Sequence, residues 1–193
     1  MQVTSTSGTE RSLAVELILE DVPGGGVVEK DDFKTASTGM KEGALLGIAS
    51  DGIYHITKTA MVANAVPASG TTHIVVYNNH EFKAGDYFQN TGNTASGTLI
   101  TAVSASGSYT DVITCASPSV AIAASGLIIQ AATGTGRALG FLYSPVAIAT
   151  NPVDLTANNT GCGLLVRGRV RTSLLPYHVD STIKALFPLI RFV

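Results

Sequence analysis

Side chains that could act as catalytic acids, bases or nucleophiles occur in the chain, but their spacing matches no common catalytic motif. His178 lies two residues before Asp180, a separation at which the two side chains could orient each other on a loop. The sequence contains no G-x-S-x-G motif, which exposes a nucleophilic serine on a strained turn in many hydrolases. A surface or capping role suits this pair better, and we predict no enzymatic activity.

A second group of residues has side chains that bind metal ions in other proteins. His73, His80, Glu81 and Asp86 lie close together in the sequence, but without the H-x-x-x-H or C-x-x-C spacing that directs two ligands at one ion. We interpret them as an incidental loop cluster and predict no metal site. The two cysteines, Cys115 and Cys162, have apolar and glycine neighbours, which indicates buried and unreactive thiols.

The glycine-rich segment 134–140 (GTGRALG) does not fit a phosphate-binding loop. Its last glycine comes one residue too late for the dinucleotide-binding motif, and the segment lacks the lysine of a P-loop. We interpret it as a flexible connector, and the sequence predicts no cofactor.

Three arginines in the run Arg167-Gly168-Arg169-Val170-Arg171 are the most concentrated charge in the chain. On a strand, alternate residues share a face, so the arginines would lie opposite Gly168 and Val170. The arginine face could bind an acidic partner surface or, as a less favoured option, phosphates. It could equally be a solvated face that pairs with acids of residues 1–60, and the sequence leaves both interpretations open.

Charge and composition exclude several classes of protein. Residues 1–60 carry a net charge of -4, residues 61–136 carry -2 and residues 137–193 carry +4, which suggests that the two ends pack together around an inserted middle. The total of -2 over 193 residues argues against a nucleic-acid-binding protein. The sequence has no apolar run long enough to span a membrane. Its first ten residues, MQVTSTSGTE, do not resemble a secretory signal.

Short strands separated by turn residues dominate the pattern. In residues 13–20 (LAVELILE), Leu13, Val15, Leu17 and Leu19 alternate with other residues, which predicts a half-buried strand. We predict a hairpin over 43–57 with its turn at Asp51-Gly52. The other predicted strands are 73–77, 98–103, 111–115, 127–129, 138–143 and 164–170. A helix over 181–186, capped by Asp180, completes a mainly β fold of small β-barrel or sandwich units with one short C-terminal helix.

Three stretches resemble head proteins of tailed bacteriophages. Residues 13–59, the middle segments NNHEFKAGDYF and LITAVSASGSYTDVITCA, and the end LLVRGRVRTSLLPYHVDSTIKALFPLIRFV resemble head decoration or head fibre proteins. The outer parts are also similar to the lambda-type decoration protein, through Gly-Ala-Leu-Leu at 43–46 and the Leu-Pro loop, short helix and final strand. The resemblance implies an N-terminal capsid-binding arm at 1–20 and a decoration-like β domain of 21–65 plus 136–193. Residues 66–135 would be an inserted small β-barrel-like module.

The resemblance implies a structural virion protein that binds the outer surface of the capsid and bridges major capsid proteins. It would be a homo-oligomer, with a trimer as the expected state, and would contact neither nucleic acid nor membrane. Proteins of this kind attach through an N-terminal arm that adds a strand to a capsid-protein edge. The capsid-contact residues that we predict are Leu13, Val15, Leu17, Leu19, Arg167, Arg169 and Arg171. An alternative is a head-fibre base or adhesin that contacts host glycans or a fibre partner.

Overall fold

The computed structural model describes residues 13–34, 39–91, 97–132, 141–155 and 158–193. Of these residues, 44% are in β-structure and 7% are helical. The sheets curl and one short helix lies near the C-terminus, so the prediction of a mainly β fold is confirmed. No helix in these ranges is long and apolar enough to cross a membrane.

The described residues form fourteen strands, numbered β1 to β14 along the chain. They are Val15–Asp21, Gly26–Val28, Leu45–Ile48, Tyr54–Ile56, Thr59–Met61, His73–Tyr77, Tyr87–Asn90, Thr98–Ala105, Thr110–Cys115, Leu127–Ala131, Pro145–Ala149, Thr160–Cys162, Leu164–Val170 and Ile190–Phe192. Two 3-10 turns, Lys30–Asp32 and Thr172–Leu174, and the helix α1, Ser181–Ala185, complete the fold.

The first sheet combines strands from both ends of the chain. Its order is β1-β13-β11-β3-β4-β2-β12, and β14 pairs in parallel with β13. The predicted hairpin is β3–β4, with Leu46 opposite Ile56. Gly52 occupies its turn at a φ of +84°, a conformation that favours glycine. The sheet therefore brings residues from the acidic start of the chain next to the basic end.

The second sheet contains the six strands β5 to β10 and curls into a barrel. Its order is β5-β10-β7-β8-β9-β6, and a bridge between Val62 and Val76 joins its two ends. Its interior is apolar, with Phe82, Phe88 and Ile128 fully or almost fully buried. Burial of such side chains is the main stabilising term for a barrel of this size.

A separate apolar cluster lies between the two sheets. Leu127 and Ile129 of β10 pack with Leu45, Ile148 and Ile183 from the first sheet and α1. β5, which lies before residue 66, belongs to the barrel. The two sheets thus share a core, and the predicted division into an arm, a discontinuous domain and an insertion stays a prediction.

Two expectations about individual elements are wrong. The described part of the predicted strand over 138–143, residues 141–143, is not a strand: Phe141 makes an isolated bridge to Ala131, and the next strand, β11, begins at Pro145. Residues 138–140, like the glycine-rich segment 134–140, lie outside the described residues. β1 exists, but it is not half-buried: of the four alternating apolar residues predicted at positions 13, 15, 17 and 19, only Val15 is buried.

Candidate functional site

Among the described strands, β1 exposes the most apolar side chains, and it forms one end of the first sheet. It pairs with β13 on one side, and within the described residues its other side has no partner strand. Leu17, Ile18 and Leu19 are 43%, 49% and 62% exposed. Three consecutive large apolar side chains on an unpaired edge are unusual, because such an edge can recruit another strand.

A glycine in β13 allows β1 to pack closely against it. Gly168 lies opposite Ile18 in the strand register. A side-chain carbon built on Gly168 would overlap the carbonyl oxygen of Leu17. The glycine predicted to face away from the arginines therefore has a structural role, since a larger residue would push β1 off the sheet.

The arginines in and directly after β13 are partly neutralised by β1. Glu16 lies 3.6 Å from a guanidinium nitrogen of Arg169 and 3.3 Å from one of Arg171. Arg167 lies opposite Glu20 in the β1–β13 register. Acidic residues from the 1–60 part of the chain thus lie beside the arginines in the same sheet. This is the arrangement expected if the arginine face pairs with acids of the same chain.

Two hydrogen bonds hold the start of β1 in place, and a groove lies beside it. The backbone N–H of Val15 donates to Glu42 Oε1 at 2.9 Å, and the N–H of Arg171 donates to the carbonyl of Ala14 at 2.9 Å. An open groove of about 390 Å³ lies beside them, lined in part by Leu13 and Glu42. Leu13 is exposed at this groove, so the apolar surface continues beyond the strand.

A buried ion pair lies where the chain passes from the first sheet into the barrel. Lys58 Nζ donates to Asp86 Oδ2 at 2.8 Å. Asp86 also accepts from the backbone N–H of Lys83 at 2.8 Å and from Gln130 Nε2 at 3.2 Å. Burial lowers the pKa of Lys58, and the carboxylate of Asp86 opposes that shift. This network ties β7 and β10 of the barrel to the segment between the sheets.

A second polar cluster surrounds Asp111 on β9. Its Oδ2 accepts from Lys34 Nζ at 2.6 Å and lies 3.1 Å from Nε2 of the buried His80. His80 Nδ1 accepts from the N–H of Phe82, while its Nε2 makes no well-directed hydrogen bond to any described residue. Burial, together with the positive charge of Lys34, lowers the pKa of His80 to about 4. This histidine is therefore neutral at pH 7.

The four residues considered as metal ligands have separate partners. Glu81 accepts from the N–H of Lys34 and from the hydroxyl of Tyr177. His73 Nδ1 lies 3.0 Å from the hydroxyl of its neighbour Thr72. His80 and Asp86 take part in the two networks described above. Within the described ranges, no group of three or more His, Cys, Asp or Glu side chains could hold a metal ion.

His178 and Asp180 also have separate roles. Asp180 Oδ1 accepts from the N–H of Ile183 at 2.9 Å, so the predicted helix cap is confirmed. The backbone carbonyl of His178 accepts from the hydroxyl of Thr59 at 2.7 Å, and its ring packs near Tyr77. Asp180 thus caps α1, whereas the backbone of His178 fixes the loop before the helix.

Both cysteines are buried, as predicted. Burial raises the pKa of Cys115 to about 11 and also raises the pKa of Cys162. A raised pKa keeps a thiol protonated and poorly nucleophilic at neutral pH.

Sequence reasoning found the arginines but missed the polar networks. The available signal was weak: Lys58 is the sole Asp, Glu, Lys or Arg residue between positions 52 and 80. An isolated charge in a long uncharged run indicates a buried, paired side chain, but not its partner.

The fold and this site define an all-β protein with an exposed apolar edge strand. No protein-family model, curated protein or solved structure matches the chain. The geometry of β1 and its neighbours therefore carries the functional argument.

Proposed function

We propose that the protein is a structural virion protein of a tailed phage, bound to the outer surface of the capsid as a decoration or auxiliary capsid protein. The observation that carries the proposal is the unpaired edge of β1 with its exposed Leu17, Ile18 and Leu19. The edge offers backbone hydrogen bonds, and the leucines and isoleucine offer apolar contact area. Together they suit the addition of a strand from a major capsid protein.

The arrangement of the remaining surface is compatible with a bridging role. The groove at Leu13 extends the apolar surface past the start of β1. Arg167 and Arg169 lie on β13, next to β1, and Arg171 directly follows that strand, beside the same docking region. We propose that the protein acts as a homo-oligomer, with a trimer expected, so that modest contacts repeated over the shell add up to stable attachment.

One observation favours the alternative of a fibre base or adhesin. Tyr109, at the tip of the β8–β9 hairpin of the barrel, is 80% exposed. An exposed aromatic ring on a loop tip suits stacking against a sugar or a partner side chain. Under this alternative, a Tyr109→Ser variant loses glycan or fibre binding and keeps capsid binding.

The experiment that tests the proposal is co-sedimentation with undecorated, expanded heads of the phage that encodes the chain. The matched pair is Ile18→Ser on the edge strand and Ile48→Ser on the inner strand β3, since these isoleucines are 49% and 48% exposed. We expect saturable binding of the wild type at a fixed ratio to capsid protein, at least tenfold weaker binding of Ile18→Ser, on the order of hot-spot losses, and unchanged binding of Ile48→Ser. Absence of wild-type binding to well-formed heads would overturn the proposal.

A further inference from the structure

We infer that the strand that docks on β1 is apolar at its centre and basic at the end that lies against Glu20 and Asp21. The inference rests on the proposed function, in which β1 is the docking strand, and adds the chemistry of the partner segment. It follows from the distribution of charge along the edge.

The two ends of β1 differ in how their acids are compensated. Glu16, near the start, lies within 3.6 Å of guanidinium nitrogens of Arg169 and Arg171. Glu20 and Asp21, at the other end, are exposed and belong to none of the ion pairs within the described part of the chain. Glu20 lies opposite Arg167 in the β1–β13 register without forming an ion pair with it, and Asp21 lies opposite the apolar Leu165. A strand added to this edge therefore meets, at one end, two carboxylates that no ion pair in the described residues neutralises.

Distance makes the acids of β1 more important to an added strand than the arginines of β13. Directly opposite residues on neighbouring strands lie about 5 Å apart, whereas residues two strands away lie about 10 Å apart. The side chains opposite Glu20 and Asp21 are thus set mainly by those two carboxylates. The centre of the added strand meets Leu17, Ile18 and Leu19, which favour apolar partners.

A second copy of the same strand is a poor occupant of this edge. Antiparallel pairing of two β1 strands with full overlap places Ile18 on the two-fold axis and Glu16 opposite Glu20 of the other copy. Like charges directly opposite each other destabilise a strand pair. The register of β1 against β13 also shifts at three points, and such irregularities protect an edge against indiscriminate pairing. The edge thus selects for a complementary strand from a different protein.

Two capped peptides, KKVIVT and EEVIVT, test the charge preference. In the antiparallel register their charged ends lie against Asp21 and Glu20, and their apolar centres lie against Leu19, Ile18 and Leu17. We expect KKVIVT to shift the backbone amide NMR signals of β1 at low salt and to bind about tenfold more tightly than EEVIVT, the ratio expected from two charged cross-strand pairs. Added salt should reduce the difference.

The matched variants are Glu20→Lys with Asp21→Lys, and Asp51→Lys on the exposed β3–β4 turn. The double variant should reverse the preference, and Asp51→Lys should keep it. Equal binding of the two peptides, or no shift of the β1 amides by either peptide, would overturn the inference. Sedimentation with heads separates this result from the proposed function: heads that bind the wild type and the double variant equally well would refute the inference alone.

Discussion

Lys58 and Asp86 form an ion pair of 2.8 Å in which the lysine side chain is 1% exposed and the aspartate side chain 9%. Lys58 lies between β4 of the first sheet and β5 of the barrel, and Asp86 directly precedes β7. A charge buried to this extent needs a partner, because its removal from water costs several kcal/mol. The pair therefore fixes the position at which the two sheets join.

Removal of the carboxylate should be the most destabilising single change at this junction. We expect Asp86→Ala to lower the free energy of unfolding by about 3–5 kcal/mol, since it leaves a buried ammonium group unpaired. It also removes the acceptor for the Lys83 N–H and for Gln130. Urea denaturation at pH 7 measures the change.

Lys58→Met is the matched control for this prediction. It removes the charge but leaves Asp86 with its other two hydrogen bonds, so the loss should be clearly smaller than that of Asp86→Ala. Equal losses from both variants would contradict this prediction, because the unpaired carboxylate would then cost as much as the unpaired ammonium group.

The stability of the protein should fall on acidification because of His80. Its pKa is about 4 in the folded state, against an ordinary value of 6.5. The unfolded chain therefore binds more protons between these two pH values, and the free energy of unfolding decreases as the pH falls from 6.5 to 4. The expected contribution is about 3 kcal/mol.

The non-titrating variant His80→Asn isolates this contribution, because Asn can still accept from the N–H of Phe82. The groups that face His80, Asp111 and through it Lys34, remain in both proteins. Unfolding free energies measured at pH 4, 5, 6 and 7 should show a shallower pH dependence for His80→Asn. Parallel curves would contradict the prediction.

A side chain at Gly168 should displace β1. We expect Gly168→Ala to cost about 1–3 kcal/mol, the usual range for an overpacked site, and to speed hydrogen exchange of the β1 amides. Gly161→Ala in β12 is the control, since a side-chain carbon there meets nothing within 4 Å. If β1 exchanges equally slowly in both variants, the close approach of Leu17 to Gly168 does not limit the packing of β1.

The ion pairs of Glu16 should contribute little to stability. The three side chains are 30% to 47% exposed and lie at the surface, so we expect Glu16→Gln to change the free energy of unfolding by less than about 1 kcal/mol. Thermal unfolding at low and high salt checks this. A larger loss in the free energy of unfolding would mean that the packing of the arginine strand against β1 depends on Glu16.

The sequence predicted local elements correctly where a residue interacts with, or shapes, the backbone within a few residues of itself. The helix cap at Asp180 satisfies an N–H only three residues away, and the turn at Gly52 needs only a residue that tolerates a positive φ. β2, β5 and β12, with three residues each, were not predicted, because strands this short carry too few residues to show a periodic pattern. These short strands form because they pair with neighbouring strands in the folded protein.

The sequence by itself determined that the chain is mainly β, where most of its longer strands lie, and that both thiols are buried, because these properties depend on the pattern of apolar and turn residues. The tertiary structure decided which strand lies at the edge of the sheet, and hence that Leu17 and Leu19 are exposed. It also decided that Lys58 meets Asp86, 28 residues away, and that Lys34 meets Asp111, 77 residues away. Alternation in a strand is the same at an edge as at the centre of a sheet, so only the order of the strands distinguishes a buried face from an exposed one.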